Sequence, residues 1–260
     1  MLKLLAITAL GVSALSAQTP SIAGVWKADL EKSKFGPHAP SNYLVLVEQD
    51  GGKVTETTGA WGEHGQDRQT ATFTTDGKTS RGSFQGIPTR TTASWTGNTL
   101  NLVIAVAGRP NVITEKIELS SDGQTLTDVV NLGGGQSNTI VLLKQPDSAG
   151  DPLRQPEQLA GAMFKDLSTP LKDLSRSQFI NTMRYFTFAL GKDCQFCHVD
   201  GHFESDDKKT KVMAKKMIAM NVSINEGTFG GKQEVRCFTC HQGHEEPPRP
   251  TYPDAATGTK

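Results

Sequence analysis

Two copies of one short motif, Cys-x-x-Cys-His, constrain this chain more than any other feature of its 260 residues. All four cysteines of the chain lie in the two copies, which consist of Cys194, Cys197 and His198, and of Cys237, Cys240 and His241. Two thiols separated by two residues can each bond to one vinyl group of the same porphyrin, and an imidazole directly after the second thiol then lies beneath the iron. The sequence therefore predicts two covalently attached haems c. In each motif, both cysteines are the attachment points and the histidine is an iron ligand.

Three other interpretations use the same cysteines. Two Cys-x-x-Cys pairs can form a zinc site, and four cysteines in an exported protein can form two disulfides. Neither arrangement requires a histidine directly after each pair. A thioredoxin-like redox pair is expected in a βαβ context, and this sequence has none around either motif.

A predicted helix precedes each motif. Ser175 and Gln178 can form a capping box at the start of the first helix, and Gly191 is expected to end it. The second helix is predicted to start near 206–207, and Gly227 follows its last apolar residue. The apolar stripes of the two helices have the same spacing and comprise Phe179, Met183, Phe186 and Leu190, and Met213, Met217, Met220 and Ile224. This half of the chain is therefore an internal repeat of helix plus motif.

Methionines in this repeat are candidates for the sixth iron ligand, because a methionine thioether is a common partner of histidine in cytochromes c. Met183 and Met217 hold equivalent positions in the two helices and are the predicted ligands. Met220 is the alternative to Met217, since it shares the same helix face. Methionines on an apolar stripe can also simply fill a core. His202 and His244 are more typical of solvated surface positions.

Residues 21–145 have a different pattern. Short runs rich in Val, Ile and Thr alternate with turn signals such as Asp-Gly and Gly-Asn, which predicts eight to ten strands and no long helix. An all-β up-and-down barrel is the expected fold, and a sandwich is the alternative. The Gly-x-Trp segment at 24–26 resembles the opening of lipocalin-type barrels, in which the tryptophan closes one end.

The remaining segments complete a multi-domain organisation. Residues 1–17 have the charge, short apolar run and small terminal residues of a signal peptide with cleavage after Ala17, and the run is too short to span a membrane. Residues 146–160 have the composition of a linker, 161–250 form the predicted mainly α di-haem cytochrome c domain, and 251–260 form a tail. Basic and acidic residues number 27 each, so the basic footprint of nucleic-acid binding is absent.

Residues from about 164 to 250 resemble the cytochrome c subunit family of photosynthetic reaction centres. The resemblance rests on segments 179–190, 194–198, 214–220, 224–225 and 235–243. In that family a helix supplies an axial methionine to each motif, which again implies Met183 and Met217. Four haems are usual in the reaction-centre subunits, whereas this chain has two motifs, and Gln242 stands where the family usually has arginine. The resemblance implies a freestanding two-haem relative.

The expected function is electron transfer between a donor and an acceptor redox protein in the periplasm, or otherwise outside the cytoplasm, with no catalytic residue. Two alternatives remain at this point. One is a di-haem enzyme of peroxidase type with an open iron. The other is a ligand-binding module in which the barrel holds a small apolar molecule and the haems are accessory.

Overall fold

The computed structural model describes residues 20–36, 39–62, 65–167 and 170–248. The predicted signal peptide, 1–17, and the predicted tail, 251–260, lie outside these residues. Within them, every named strand precedes residue 146 and every α-helix follows residue 150.

Ten strands form one antiparallel sheet that curves into a barrel. They are β1 Gly24–Ala28, β2 Asn42–Asp50, β3 Lys53–Gly62, β4 Gly65–Thr74, β5 Asp76–Phe84, β6 Ile87–Thr96, β7 Thr99–Val106, β8 Ile113–Leu119, β9 Thr125–Gly133 and β10 Gln136–Gln145. The strand order is β4-β3-β2-β1-β10-β9-β8-β7-β6-β5, so β1 pairs with β10 and the two ends of the order are β4 and β5. The predicted up-and-down barrel is confirmed as a nearly closed one with a seam between β4 and β5. The alternative of a sandwich is wrong.

Apolar side chains on alternate strand positions line the barrel interior, as the period of two requires. Trp26 is fully buried in this core with Leu100 and Val54. Because an indole N–H buried without a partner is costly, the bond from Trp26 Nε1 to the carbonyl oxygen of Ile22, 2.9 Å long, matters for stability. The Gly-x-Trp segment thus anchors the first strand in the core.

Five α-helices follow the barrel in the described part of the chain. They are α1 Asp151–Arg154, α2 Ala160–Met163, α3 Arg176–Leu190, α4 Lys209–Phe229 and α5 Cys237–His241, with 3₁₀ helices at Asp147–Gly150, Leu171–Asp173 and Cys194–Phe196. Segment 146–160, expected to be a linker, is folded against the barrel: Leu153 of α1 is buried with Val25, Leu44 and Leu46 on the outer face of β1 and β2. Among the described residues, no helix is long and apolar enough to cross a membrane.

The ends of α3 follow the sequence signals. The hydroxyl of Ser175 accepts from the backbone N–H of Gln178, and the Gln178 side chain accepts from the backbone N–H of Ser175 at 2.9 Å, so the capping box is confirmed. Gly191 ends the helix in the left-handed conformation, with φ of 63°. Gly227, which follows the last apolar residue of the second stripe, stays helical, and α4 ends where Gly230 takes the left-handed conformation, with φ of 60°.

Candidate haem-binding site

The first motif folds as a tight turn. The carboxylate of Asp193 caps the 3₁₀ helix by accepting from the N–H of Phe196 at 3.0 Å. The N–H of His198 then donates to the carbonyl of Cys194 at 3.0 Å. This turn leaves the Cys194 side chain exposed and the Cys197 side chain half-buried on a surface segment.

The second motif is held by α3. The backbone N–H of Phe238 donates to the Tyr185 hydroxyl at 3.3 Å, and the ring of Phe238 stacks on Phe188 with centroids 4.6 Å apart and planes within 9°. Stacked aromatic pairs contribute about 0.5–1.5 kcal/mol beyond their buried area. The helix that precedes the first motif therefore positions the second one.

Both motif histidines make the same contact through Nδ1. Nδ1 of His198 lies 2.9 Å from the carbonyl oxygen of Phe203, and Nδ1 of His241 lies 3.0 Å from the carbonyl oxygen of His244. A carbonyl oxygen can only accept, so Nδ1 is the donor in this contact, and Nε2 is the ring nitrogen that is left to bind a metal. Histidines that bind a metal are typically oriented by such a bond from the other ring nitrogen. Each imidazole thus presents an Nε2 suited to iron.

The four thiols are not bonded to one another, and two of them are partly buried. All four cysteines are free. Burial raises the pKa of the Cys197 thiol and of the Cys237 thiol, whereas reactive redox thiols and thiolate ligands need a lowered pKa. In the part of the chain that the structure describes, no three His, Cys, Asp or Glu side chains come together as a metal site.

The predicted methionine ligands lie in different environments. Met183 on α3 is half-buried and packs with Ile218 against the cluster around Phe179. On α4, Met213, Met217 and Met220 are 51%, 38% and 48% exposed, so Met217 is the least exposed of the three. An apolar stripe that remains this exposed suits a surface covered by a flat apolar group. The choice between Met217 and Met220 stays a prediction.

The comparison with protein families covers this region together with the last three strands of the barrel. The family model of the photosynthetic reaction centre cytochrome c subunit matches residues 110–256, more than half of the chain. The chain belongs to this family.

Two curated family members show how partial the match is. The chain is 35% identical over 100 residues to the photosynthetic reaction center cytochrome c subunit of Thermochromatium tepidum, covering 34% of this chain and 25% of that protein. It is 34% identical over 101 residues to the corresponding subunit of Roseobacter denitrificans, covering 35% of this chain and 27% of that protein. The chain therefore spans about a quarter of the length of these relatives.

Several solved structures resemble the barrel. The REP1-NXSQ fatty acid transporter matches with a TM-score of 0.38 and 12% identity, covering 48% of this chain and 96% of that one. A Schistosoma mansoni fatty acid binding protein in complex with arachidonic acid matches with a TM-score of 0.38 and 15% identity, covering 50% of this chain and 99% of that one.

In this family member, the backbone at Gly191, which ends α3, lies against the backbone at Gly243, which follows the second motif. The N–H of Gly243, two residues after His241, donates to the carbonyl of Ala189 at 2.9 Å. A Cβ on Gly191 would lie 2.1 Å from the carbonyl oxygen of Gly243. Nearby, Lys192 Nζ lies 2.9 Å from a carboxylate oxygen of Glu245. The end of α3 and the end of the second motif are thus in backbone contact.

Two asparagines of α4 hold the segment that leads to the second motif, a contact that the sequence pattern did not predict. The buried side chain of Asn225 on α4 donates to the carbonyl of Val235 at 2.8 Å and accepts from the N–H of the same residue at 3.0 Å. Asn221 donates to the same carbonyl at 3.0 Å. The only available signal was an asparagine inside a helix, where this residue type is unfavourable unless its side chain has a partner.

A polar stripe on α3 faces the barrel. The hydroxyl of Ser177 accepts from the N–H of Arg68 at 2.9 Å. Asn181 exchanges two side-chain hydrogen bonds with Gln69, of 3.1 and 3.2 Å. A guanidinium nitrogen of Arg184 lies 2.9 Å from a carboxylate oxygen of Asp67. All three barrel partners are on β4, so the helix that carries Met183 is fixed to the strand at the seam.

Inside the barrel, three acidic side chains come from β3, β8 and β9. Burial raises the pKa of all three groups: it raises the pKa of Glu56, lifts the pKa of Glu115 well above its usual range and raises the pKa of Asp128 to about 8. Repulsion from the Glu56 carboxylate further raises the pKa of both Glu115 and Asp128. The Thr58 hydroxyl donates to Glu56 at 3.1 Å, whereas Oδ1 of Asp128 has no hydrogen-bond partner among the described residues. These groups are unlike the rest of the core because their charged forms are disfavoured there.

Proposed function

We propose that this protein is an exported electron carrier with two haems c, one attached to Cys194 and Cys197 and the other to Cys237 and Cys240. The observation that carries this proposal is the shared Nδ1-to-carbonyl contact of the two motif histidines. It fits an iron ligand in both motifs, although the two turns differ in conformation. Free thiols two residues apart fit thioether attachment.

Each side chain has a defined role in this proposal. The four thiols tether the haems and fix their orientation, and His198 and His241 bind iron through Nε2. Met183 and Met217 supply the sixth ligands. A haem so bound provides reversible one-electron chemistry at the iron. No residue is required to act as acid, base or nucleophile, so the protein is proposed to be a carrier rather than an enzyme.

The haem count tests the proposal. Mass spectrometry of the mature protein, together with a pyridine haemochrome assay, should give two haems per chain. Replacing Cys194 and Cys197 by serine should leave one haem, and replacing Cys237 and Cys240 should also leave one. A mature polypeptide without added porphyrin mass on either motif peptide would refute the proposal.

The proposed location is the periplasm, and the proposed partners are a donor and an acceptor redox protein. The family and the motif chemistry support this, because covalent haem attachment is typical of exported cytochromes. The proposed organisation keeps the barrel at 21–145, the linker at 146–160 and the di-haem domain at 161–250. N-terminal sequencing of the protein from the periplasmic fraction should begin at Gln18, and an intact Met1 would contradict the proposed cleavage.

A small apolar ligand in the barrel remains a separate proposal. Its support is an interior lined by apolar side chains around Trp26 and Leu100. The three interior carboxyl groups limit it to a ligand that leaves them hydrated or hydrogen-bonded. Solvent extraction of the purified protein followed by mass spectrometry should release a stoichiometric hydrophobic compound, and an extract without one would count against this role.

A further inference from the structure

A groove opens where β4 and β5 separate at the barrel seam. It has a volume of about 410 Å³ and is lined by residues from three strands together with Arg236, which directly precedes the second motif. Because β4 and β5 are the two ends of the strand order, their facing edges carry backbone N–H groups that no ladder uses. The groove thus connects the seam of the barrel with the haem-binding half of the chain.

The groove lining is positively charged. Arg81 on β5 and Arg236 both line it, hydroxyl groups surround them, and no acidic residue contributes to the wall; the hydroxyl-bearing residues are Thr70, Thr72, Ser83, Thr89 and Thr91. Among the described residues, neither Arg81 nor Arg236 has a carboxylate within ion-pair distance. Two guanidinium groups from distant parts of the chain therefore share one groove without a counter-charge.

We propose that this groove binds an oxyanion of the carboxylate or phosphate class between Arg81 and Arg236. Guanidinium groups bind such anions by paired, charge-assisted hydrogen bonds, and hydroxyl and backbone N–H donors can complete the set. The anion has two possible sources. One is a propionate of the haem on the second motif, because Arg236 is adjacent to Cys237, and this source rests on the proposed function. The other is a free anion.

The test uses the holoprotein with Arg81→Gln, Arg81→Lys and the control Lys53→Gln. Lys53 is exposed at the start of β3 and does not line the groove, so its replacement removes one positive charge without changing the groove wall. Haem content is measured first in every variant. The reduction equilibrium of each haem is then measured by spectroelectrochemistry, and inorganic phosphate is titrated by calorimetry at low ionic strength.

If a propionate is the ligand, Arg81→Gln should lower the reduction equilibrium constant of one haem about threefold. This corresponds to about 28 mV at 59 mV per tenfold change for a one-electron couple. The sign follows because loss of a nearby positive charge favours the oxidised iron. Arg81→Lys keeps the positive charge and should therefore stay close to the wild-type reduction equilibrium. Lys53→Gln should change the equilibrium little, because solvent and salt screen exposed charges that do not touch the ligand.

If the anion is free, phosphate should bind saturably to the wild-type protein and about tenfold more weakly to Arg81→Gln, with the haem equilibria unchanged. The proposal is overturned if Arg81→Gln behaves like Lys53→Gln in both measurements. A wild-type protein without haem would refute the proposed function, but the phosphate titration would still test the groove.

Discussion

The backbone contact between Gly191 and Gly243 can be tested with a matched pair of substitutions. Gly191 and Gly230 both follow a helix in the left-handed conformation, with φ of 63° and 60°. A Cβ on Gly191 would lie 2.1 Å from the Gly243 carbonyl oxygen, whereas a Cβ on Gly230 would have no atom within 4 Å. Replacement of each glycine by alanine therefore separates the backbone penalty from the penalty of the contact.

The expected magnitudes follow from these two terms. An alanine in the left-handed conformation costs about 1–2 kcal/mol, and this penalty applies to both variants. Gly191→Ala must in addition displace a backbone carbonyl that is held by the bond from Gly243 to Ala189. Overpacking typically adds about 1–3 kcal/mol. We expect Gly230→Ala to lower the free energy of unfolding by about 1–2 kcal/mol, and Gly191→Ala by about 2–5 kcal/mol.

Urea denaturation of both holoprotein variants, followed by the fluorescence of the tryptophans and by haem absorbance, measures these losses. The contact joins the end of α3 to the segment that directly follows the second motif, so the transition monitored by haem absorbance should show the larger shift in Gly191→Ala. Equal losses in the two variants would refute the reasoning, because they would mean that the segment around Gly243 moves away from α3 at no cost.

Three further predictions concern titratable groups and the iron ligands. Asp128→Asn should stabilise the protein increasingly as the pH rises from about 3.8 to about 8. The pKa of Asp128 is raised to about 8 in the folded state, so its ionisation in this pH range favours the unfolded chain, and asparagine removes that loss. A difference between the denaturation midpoints of the two proteins that does not change with pH would contradict this. The ammonium group of Lys215, followed by that of Lys211, lowers the pKa of Asp166 to about 2. The stability lost in Asp166→Asn should therefore be largest above pH 3.8 and should vanish as the pH falls to about 2, which acid-denaturation curves of the two proteins measure. Met217→Ala should convert one haem from low spin to high spin in the absorption spectrum while Met220→Ala should not, and the reverse result would assign Met220 as the ligand.

The local structure of this chain could largely be predicted from its sequence. Alternation and turn residues predicted an up-and-down barrel of eight to ten strands, and the sheet has ten. Ser175 with Gln178 predicted the start of α3. These features depend on neighbours in the sequence. The end of α4 could not be predicted, because Gly227 and Gly230 are equally good candidates by residue type, and the length of the helix depends on its tertiary contacts.

The contacts of the motif histidines were beyond sequence reasoning for a different reason. Their acceptors are the backbone carbonyls of Phe203 and His244, and any residue type provides a carbonyl. The partners of Asn225 are likewise backbone groups, those of Val235. A motif identifies the side chains that can perform the chemistry, whereas the groups that orient them are set by the path of the chain.

The barrel and the haem-binding half are coupled through the two faces of one helix. Ser177, Asn181, Arg184 and Phe188 repeat at the same spacing as the apolar stripe through Met183, displaced by two residues or roughly 200° around α3. The first three of these residues bind β4, and Phe188 contacts both Gly108 of the barrel and Phe238 of the second motif. Because β4 borders the open seam, it has a strand partner on one side only. Any shift of β4 at the seam must therefore move α3, and with it the residue proposed to bind the first iron and the ring that supports the second motif.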